Sequence, residues 1–455
     1  MDSIISVIGT YVSWDLKSLL LFAAVFIITA DYIKNRRPAG YPPGPRGLPI
    51  MGNLFTIDQN RAHESMTQLA ERYGNVYSLR MGQERMVVLN GFDILKEALV
   101  TQGDSLADRP DLPLQIDRAH RLGVIASSGN LWKQQRRFAL STLRQFGFGK
   151  KSLESVVLDE FTYCAKNIRS YKGKPFDPHL ILNNAVSNII CSLVFGHRFE
   201  YSEEKFIKMM QLFDKGFQIE GSIWGQIYNA FPVLMRRLPG PHQSVGQMWN
   251  EVKDFIRVEL NEHKKTWDPS ETRDYIDCYL SEIQMNKGQD DNTFDEENLV
   301  ICVLDLFVAG SETTSTTLRW IQGKSIDQTN MVYVIFHFVC FIYHYSNCQG
   351  VIVIPNLTSV LFDKKEWETP HTFNPNHFLN EECKFVKRAA FLPFSLGKRV
   401  CLGENLAKME LFLFFTSFMQ HFTFSMPAGV KPDMDYRFGL TLTPKNYEIC
   451  VTPRH

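Results

Sequence analysis

The chain is expected to fold as a mainly α-helical protein with a minor β component, carried behind an N-terminal transmembrane anchor. Three observations support this. Apolar residues recur at helical spacing over 131–143, 153–170, 180–194, 248–264 and 297–320. Segments 76–81 and 85–89 flank Gly82 as one short pair of strands. An unbroken apolar run over 19–30 is followed by Lys34, Arg36 and Arg37.

The run over 19–30 is shorter than the roughly 20 residues that span a bilayer, but the mildly apolar 4–14 stretch extends it if Asp15 and Lys17 are tolerated. A cleaved signal peptide would carry its basic residues ahead of the apolar core and a small-residue cleavage site behind it. Here the basic cluster comes after, so residues 1–35 read as an uncleaved anchor with the body on the cytosolic side. Residues 36–50 follow, and Pro38, Pro42, Pro43 and Pro45 exclude helix and make the stretch a stiff hinge. Residues 51–455 are left as one catalytic body; with 44% hydrophobic and 13% aromatic residues the chain can bury a large core. Its 34 phenylalanines suit an apolar ligand chamber. Lys and Arg balance Asp and Glu at 49 each, so no nucleic-acid partner is expected. The nine cysteines have no CxxC pairing and are expected to be reduced thiols.

The chemistry concentrates in two places. Residues 394–403 read Phe-x-x-Gly-x-Arg-x-Cys-x-Gly, immediately ahead of a long apolar helix. A thiolate at a helix N-terminus is stabilised by free N–H groups and the helix dipole, which suits Cys401 to iron ligation. Gly397 permits a tight turn under a flat ligand and Gly403 a close approach of the following helix. Arg399 can reach a carboxylate, and Phe394 can shield the sulfur. The second place is 309–314, Ala-Gly-Ser-Glu-Thr-Thr, inside a helix. Ala309 and Gly310 leave room beside the helix, and Thr313 lies where its hydroxyl competes for the Ala309 carbonyl. Glu312 and Thr313 together offer a carboxyl and a hydroxyl for proton relay. Asp305, one turn earlier, reads as structural or solvent-linked. Trp132 and Arg136 stand four apart on one helix face, two donors suited to a carboxylate.

These motifs resemble the cytochrome P450 superfamily. Residues 138–152, 231–242 and 373–378 look like its vertebrate microsomal family two, nearest the fatty-acid epoxygenase-like J group. The resemblance runs from residue 1 to about 320 and from about 351 to the end. It implies the P450 fold, with haem b (iron protoporphyrin IX) held by Cys401 as the axial thiolate metal ligand. It implies haem contacts from Trp132, Arg136, Ala309, Gly310, Phe394, Arg399 and Gly403, with Thr313 and Glu312 as the catalytic pair. The implied activity is a monooxygenase inserting one oxygen atom into lipophilic substrates such as unsaturated fatty acids or foreign compounds. Electrons would come from NADPH through NADPH-cytochrome P450 reductase, with cytochrome b5 as a further partner, since no dinucleotide-binding fingerprint occurs in the chain. Lys133, Lys398 and Lys408 suit contacts on the sulfur side. The implied location is the endoplasmic reticulum membrane, with membrane lipid about the anchor and about the apolar, basic-ended stretch 231–238. Substrate loops are expected near 115–126, 211–225, 301–309 and 438–442.

The chain departs from that family over 321–350. The family carries a helix with Glu-x-x-Arg there, and no Glu-x-x-Arg occurs anywhere in this sequence. His377, which would interlock with that pair, is expected to lose its partners. The strand after that helix, another haem-propionate contact, is expected to be missing. The segment itself is rich in aromatic and β-branched residues, and His337, Cys340 and His344 have no metal-ligand spacing. The competing reading is therefore a catalytically impaired splice isoform or gene-model artefact, acting at most as a membrane-bound reductase-binding decoy.

Overall fold

The computed structural model describes residues 16–147, 152–327, 344–346, 350–372, 374–430, 433 and 435–454. The longer helices are α1 (Leu16–Lys34), α2 (Ala62–Tyr73), α3 (Gly129–Gln145), α4 (Ser152–Ser170), α5 (His179–Val194), α6 (Glu204–Gly221), α7 (Ile223–Ala230), α8 (Gln243–Thr266), α9 (Tyr275–Met285), α10 (Glu296–Asp327) and α11 (Glu404–His421). The strands are β1 (Val76–Met81), β2 (Glu84–Leu89), β3 (His344–Ser346), β4 (Val351–Pro355), β5 (Phe422–Ser425), β6 (Tyr436–Phe438), β7 (Leu442–Pro444) and β8 (Cys450–Pro453). The five helices expected from apolar periodicity and the β1–β2 hairpin all form. Helices α2, α6 and α9 were not among them.

Helix α1 is long and apolar enough to cross a membrane, and its side chains are almost all exposed. Such exposure of Leu, Phe and Ile suits lipid rather than water. The exception is Asp31, 8% exposed, which accepts two hydrogen bonds from Arg80 of β1 at 3.0 and 3.1 Å. Helix α10 passes the same length test but is mostly buried, as a core helix is. It packs on α5, α8 and α11, with Val300, Ile301, Val303, Leu304 and Phe307 in the largest apolar cluster.

The main sheet has the order β1-β2-β4-β3, with β2 and β4 parallel and the other pairs antiparallel. The edge of β4 is covered by β3, which pairs Tyr345 with Ile352. An exposed β4 edge would leave its N–H and C=O groups unpaired, and β3 satisfies them. One expectation is corrected: His377 does not lose its partners. It is buried, its Nε2 lies 3.2 Å from the Thr369 N–H and 3.1 Å from Thr369 Oγ1, and its ring packs against Trp367. His337 and Cys340 lie outside the described residues.

Candidate functional site

The loop before α11 is fixed from below by apolar packing. Ala390 and Leu392 are buried in a cluster with Trp367, Val360 and Leu95, and Leu396 packs on its edge. From there the chain turns through Ser395 and Gly397, with φ of 64° and 74°. At Gly397 a Cβ would overlap the Leu99 carbonyl oxygen, so only glycine fits that close approach. The Cys401 N–H donates to the Phe394 carbonyl at 3.0 Å and closes the loop. Cys401 is left half-buried three residues before α11 begins. At Gly403 a Cβ would meet nothing but Cys401 Sγ, at 3.9 Å, so the space beside the sulfur is open. Phe394 is half-buried, with the Lys408 ammonium 5.5 Å from its ring centre.

Cations gather on one side of this loop. Arg399 is buried, and its guanidinium donates to the Ala107 and Ser127 carbonyls at 2.6 Å each and to the Val124 carbonyl at 3.3 Å. It lies 3.9 Å from the centre of the Trp132 ring. Burial, then the neighbouring Arg109 and Arg136 charges, push it down to about 8, opposed by Asp108. A guanidinium does not give up its proton under ordinary conditions, so this marks a buried positive charge with no ion-pair partner in contact among the described residues. Burial also lowers Arg136, with Cys401 acting the other way, and Arg136 donates to the Val400 carbonyl at 2.5 Å. Trp132 Nε1 is buried with no hydrogen-bond partner. An orphaned donor beside crowded guanidiniums fits a ligand that brings carboxylates, as haem propionates would. Arg109 belongs to this group, and no sequence motif singled it out.

Helix α10 supplies the other wall. Ala309 is exposed in the middle of an otherwise buried helix, so the surface it faces is a cleft. Thr313 Oγ1 donates to the Ala309 carbonyl at 2.5 Å, the competition expected from their spacing. Gly310 is placed differently. A Cβ there would come within 2.6 Å of Ile190 Cδ1 on α5, so its smallness serves helix packing rather than the cleft. Glu312 is buried, and its Oε1 accepts from Thr316 and Thr441 at 3.1 Å each and from Thr443 at 3.3 Å. Burial, reinforced by Asp214, raises its carboxyl above the usual range. Its partners thus hold it toward β7. Asp305 proves structural, accepting from the Val124 and Ile125 N–H groups at 2.8 and 2.9 Å, and burial pushes it up to about 6.

A cysteine presented on a closed loop with open space beside its sulfur, buried guanidiniums and a cleft-lining helix with a broken-in hydroxyl are compatible with a haem-thiolate protein. The family model described as cytochrome P450 matches residues 42–322 and 342–451. Human cytochrome P450 2J2 is 42% identical over 484 aligned positions, covering 96% of each chain. Rabbit (Oryctolagus cuniculus) cytochrome P450 2J1 is 42% identical, again over 96% of each, and rat (Rattus norvegicus) cytochrome P450 2C23 is 38% identical over 96% of this chain and 98% of its own. The chain belongs to the cytochrome P450 family and is by that membership a haem monooxygenase with a cysteine thiolate ligand, acting on lipophilic substrates.

The match resumes at 342 rather than at about 351, which narrows the departure to 323–341. An alignment of 484 positions against a chain of 455 residues requires gaps in this chain.

Proposed function

We propose that Cys401 would bind the iron of a haem and that Trp132, Arg136, Arg399 and Arg109 would hold its propionates. The bound haem would supply oxygen activation, and the protein supplies the surroundings. Phe394 covers the sulfur and Gly403 keeps space beside it. Ala309 leaves room on the opposite face, and the Thr313 hydroxyl, drawn to the Ala309 carbonyl, positions a proton donor there. Glu312 stores a proton one residue away. The substrate is an apolar molecule, and by similarity to the 2J relatives an unsaturated fatty acid or a foreign compound is favoured. The observation that carries the reading is the buried Arg399, with no ion-pair partner in contact among the described residues, beside the orphaned Trp132 indole.

NADPH-cytochrome P450 reductase is the proposed electron donor, with cytochrome b5 as a second. A groove of about 490 Å³, lined by Lys133, Arg137 and Arg144 together with the Lys398–Asp104 ion pair, supports docking of an acidic partner on the sulfur side. The proposed location is the endoplasmic reticulum membrane with the body facing the cytosol. Exposed Val233 and Leu234, beside Arg236 and Arg237, support a second membrane contact.

The break in the family match at 323–341 is the observation behind the competing reading, an impaired isoform or gene-model artefact that binds reductase without turnover. One measurement separates them. The dithionite-reduced protein under carbon monoxide should show the red-shifted absorbance of thiolate-ligated haem; its absence refutes the enzymatic reading of this chain.

A further inference from the structure

Where α1 meets the body, a cavity opens that the site above does not use. It measures about 440 Å³, within the range of small-ligand sites. Asp31 and Asn35 of α1 form one wall, the proline-rich stretch after α1 a second, and Arg80 and Arg85 of the β1–β2 hairpin a third. Its charge is one-sided. Arg36, Arg37, Arg46, Arg80 and Arg85 line it against the single carboxylate of Asp31, and Arg80 takes that carboxylate at 3.0 and 3.1 Å. Arg37 donates to the Pro45 carbonyl at 2.8 Å, and Arg85 to the Lys34 and Arg36 carbonyls at 3.4 and 3.5 Å. The exposed side chains of Arg36 and Arg46 have no partner among the described residues. Four guanidiniums thus share one cavity with no ion pair among the described residues, and their mutual repulsion calls for an anion.

The independent observation is Tyr41. Its hydroxyl is buried in the cavity lining with no hydrogen-bond partner, and the Arg85 guanidinium sits 5.9 Å from its ring centre. Burial raises the pKa of this hydroxyl, against the Arg85 and Arg37 charges, so it stays a donor. An unmet donor among uncompensated guanidiniums suits an oxyanion, and a phosphate offers several acceptor oxygens to guanidinium forks. The place of the cavity decides which phosphate. Helix α1 has 19 residues, a rise of about 28 Å, close to the hydrocarbon thickness of a bilayer. Residues just after Lys34 then lie among the lipid headgroups, and the cavity opens at that level. A choline headgroup would bring its own cation among the arginines, so a net-negative headgroup is favoured.

We propose that this cavity binds the headgroup phosphate of an anionic glycerophospholipid, held by Arg36, Arg46 and Arg85 and by the Tyr41 hydroxyl. The lipid joins α1, the proline-rich hinge and the β1–β2 hairpin at one point, so headgroup charge bears on how the body sits on its membrane. The inference rests on the reading of α1 as a membrane anchor.

The test is native mass spectrometry of the full-length protein released from detergent micelles and titrated with dioleoyl phosphatidylserine or dioleoyl phosphatidylcholine. One phosphatidylserine should bind about tenfold or more tightly than the first phosphatidylcholine. In Arg36→Gln/Arg46→Gln, which alters only exposed side chains, the two lipids should come within about twofold of each other. Tyr41→Phe keeps the ring beside Arg85 and should weaken phosphatidylserine about fivefold. Lys133→Gln/Arg144→Gln removes the same charge from the groove on the sulfur side and should leave the preference unchanged. Equal affinity for the two lipids overturns the proposal, as does a preference that survives Arg36→Gln/Arg46→Gln or is lost equally in Lys133→Gln/Arg144→Gln. Complete displacement of the lipid by inorganic phosphate overturns it too, since the ligand is then the free ion. Flotation with neutral phosphatidylcholine vesicles reports separately on the anchor: a chain that floats without preferring phosphatidylserine keeps its anchor and lacks this site.

Discussion

At the residue scale, the Thr313 hydroxyl has one recorded partner, the Ala309 carbonyl, and no apolar side chain of the same shape can replace it. Thr313→Val should leave the fold intact, because the group it loses is at the cleft surface. Reductase-supported product formation should fall about tenfold or more while NADPH oxidation continues, with the difference appearing as hydrogen peroxide. Unchanged coupling of NADPH to product would remove Thr313 from the relay. Glu410 offers a stability test. It is wholly buried on α11 with Oε1 unpartnered, and burial, partly offset by the Thr314 hydroxyl, pushes its carboxyl up to about 8. The unfolded chain releases this proton near pH 4.5. Between those values the folded state binds more protons, so stability falls as pH rises, by an amount that reaches about 5 kcal/mol above pH 8. In Glu410→Gln the part of that fall due to this group should vanish, leaving the smaller falls from the raised Asp305 and Glu312 carboxyls, and Tm measured from about pH 5 to pH 8 in both proteins would show the difference.

Local motifs were legible because each depends on spacing along the chain. The Cys401 loop, the Thr313–Ala309 bond and the Trp132–Arg136 pair are of this kind. Gly310, Glu312 and Arg109 were less so, since their neighbours, Ile190, Thr441 and Arg399, come from elsewhere in the sequence. A glycine in a helix says that something approaches closely, not what approaches.

At the element scale, the end of α1 is tied to the body rather than left as a free tether. Asp31 accepts from Arg80, from the Ile50 N–H at 3.0 Å and from Asn35 Nδ2 at 2.9 Å, with both ion-pair side chains largely buried. Such a latch fixes where the body sits relative to α1, and composition alone gave only a stiff hinge. Asp31→Ala leaves the partly buried Arg80 with only the Gly82 and Leu48 carbonyls as acceptors, a loss of about 1–3 kcal/mol at this contact. The consequence should be local. In vesicles, tryptic cleavage after Arg36 should accelerate, while the carbon monoxide spectrum of the reduced protein stays as in the unaltered chain. Equal cleavage rates would show that the latch does not restrain the hinge.

At the scale of the whole molecule, the question is whether the ligand loop stands without the family's usual brace. No Glu-x-x-Arg occurs in the sequence, and the sequence alone could not say what would pack in its place. His377 turns to Thr369, and the loop rests on Trp367, Val360 and Leu392. The strain appears instead where α10 leaves the matched region. Gln322 is buried there with both side-chain polar atoms unpartnered, each costing about 1–3 kcal/mol. Several such groups amount to a sizeable part of a typical net stability of about 5–15 kcal/mol. The chain should therefore bind haem through Cys401 but lose it readily. Replacing residues 323–341 by the corresponding segment of a 2J relative, which restores the missing length, should raise the Tm of the haem-loaded protein. It should also slow the decay of the thiolate-type carbon monoxide band on warming to the form without thiolate ligation. If the unaltered chain holds that band as long as the restored one, the apolar cluster under the loop is brace enough, and the departure at 323–341 leaves the haem-binding body intact.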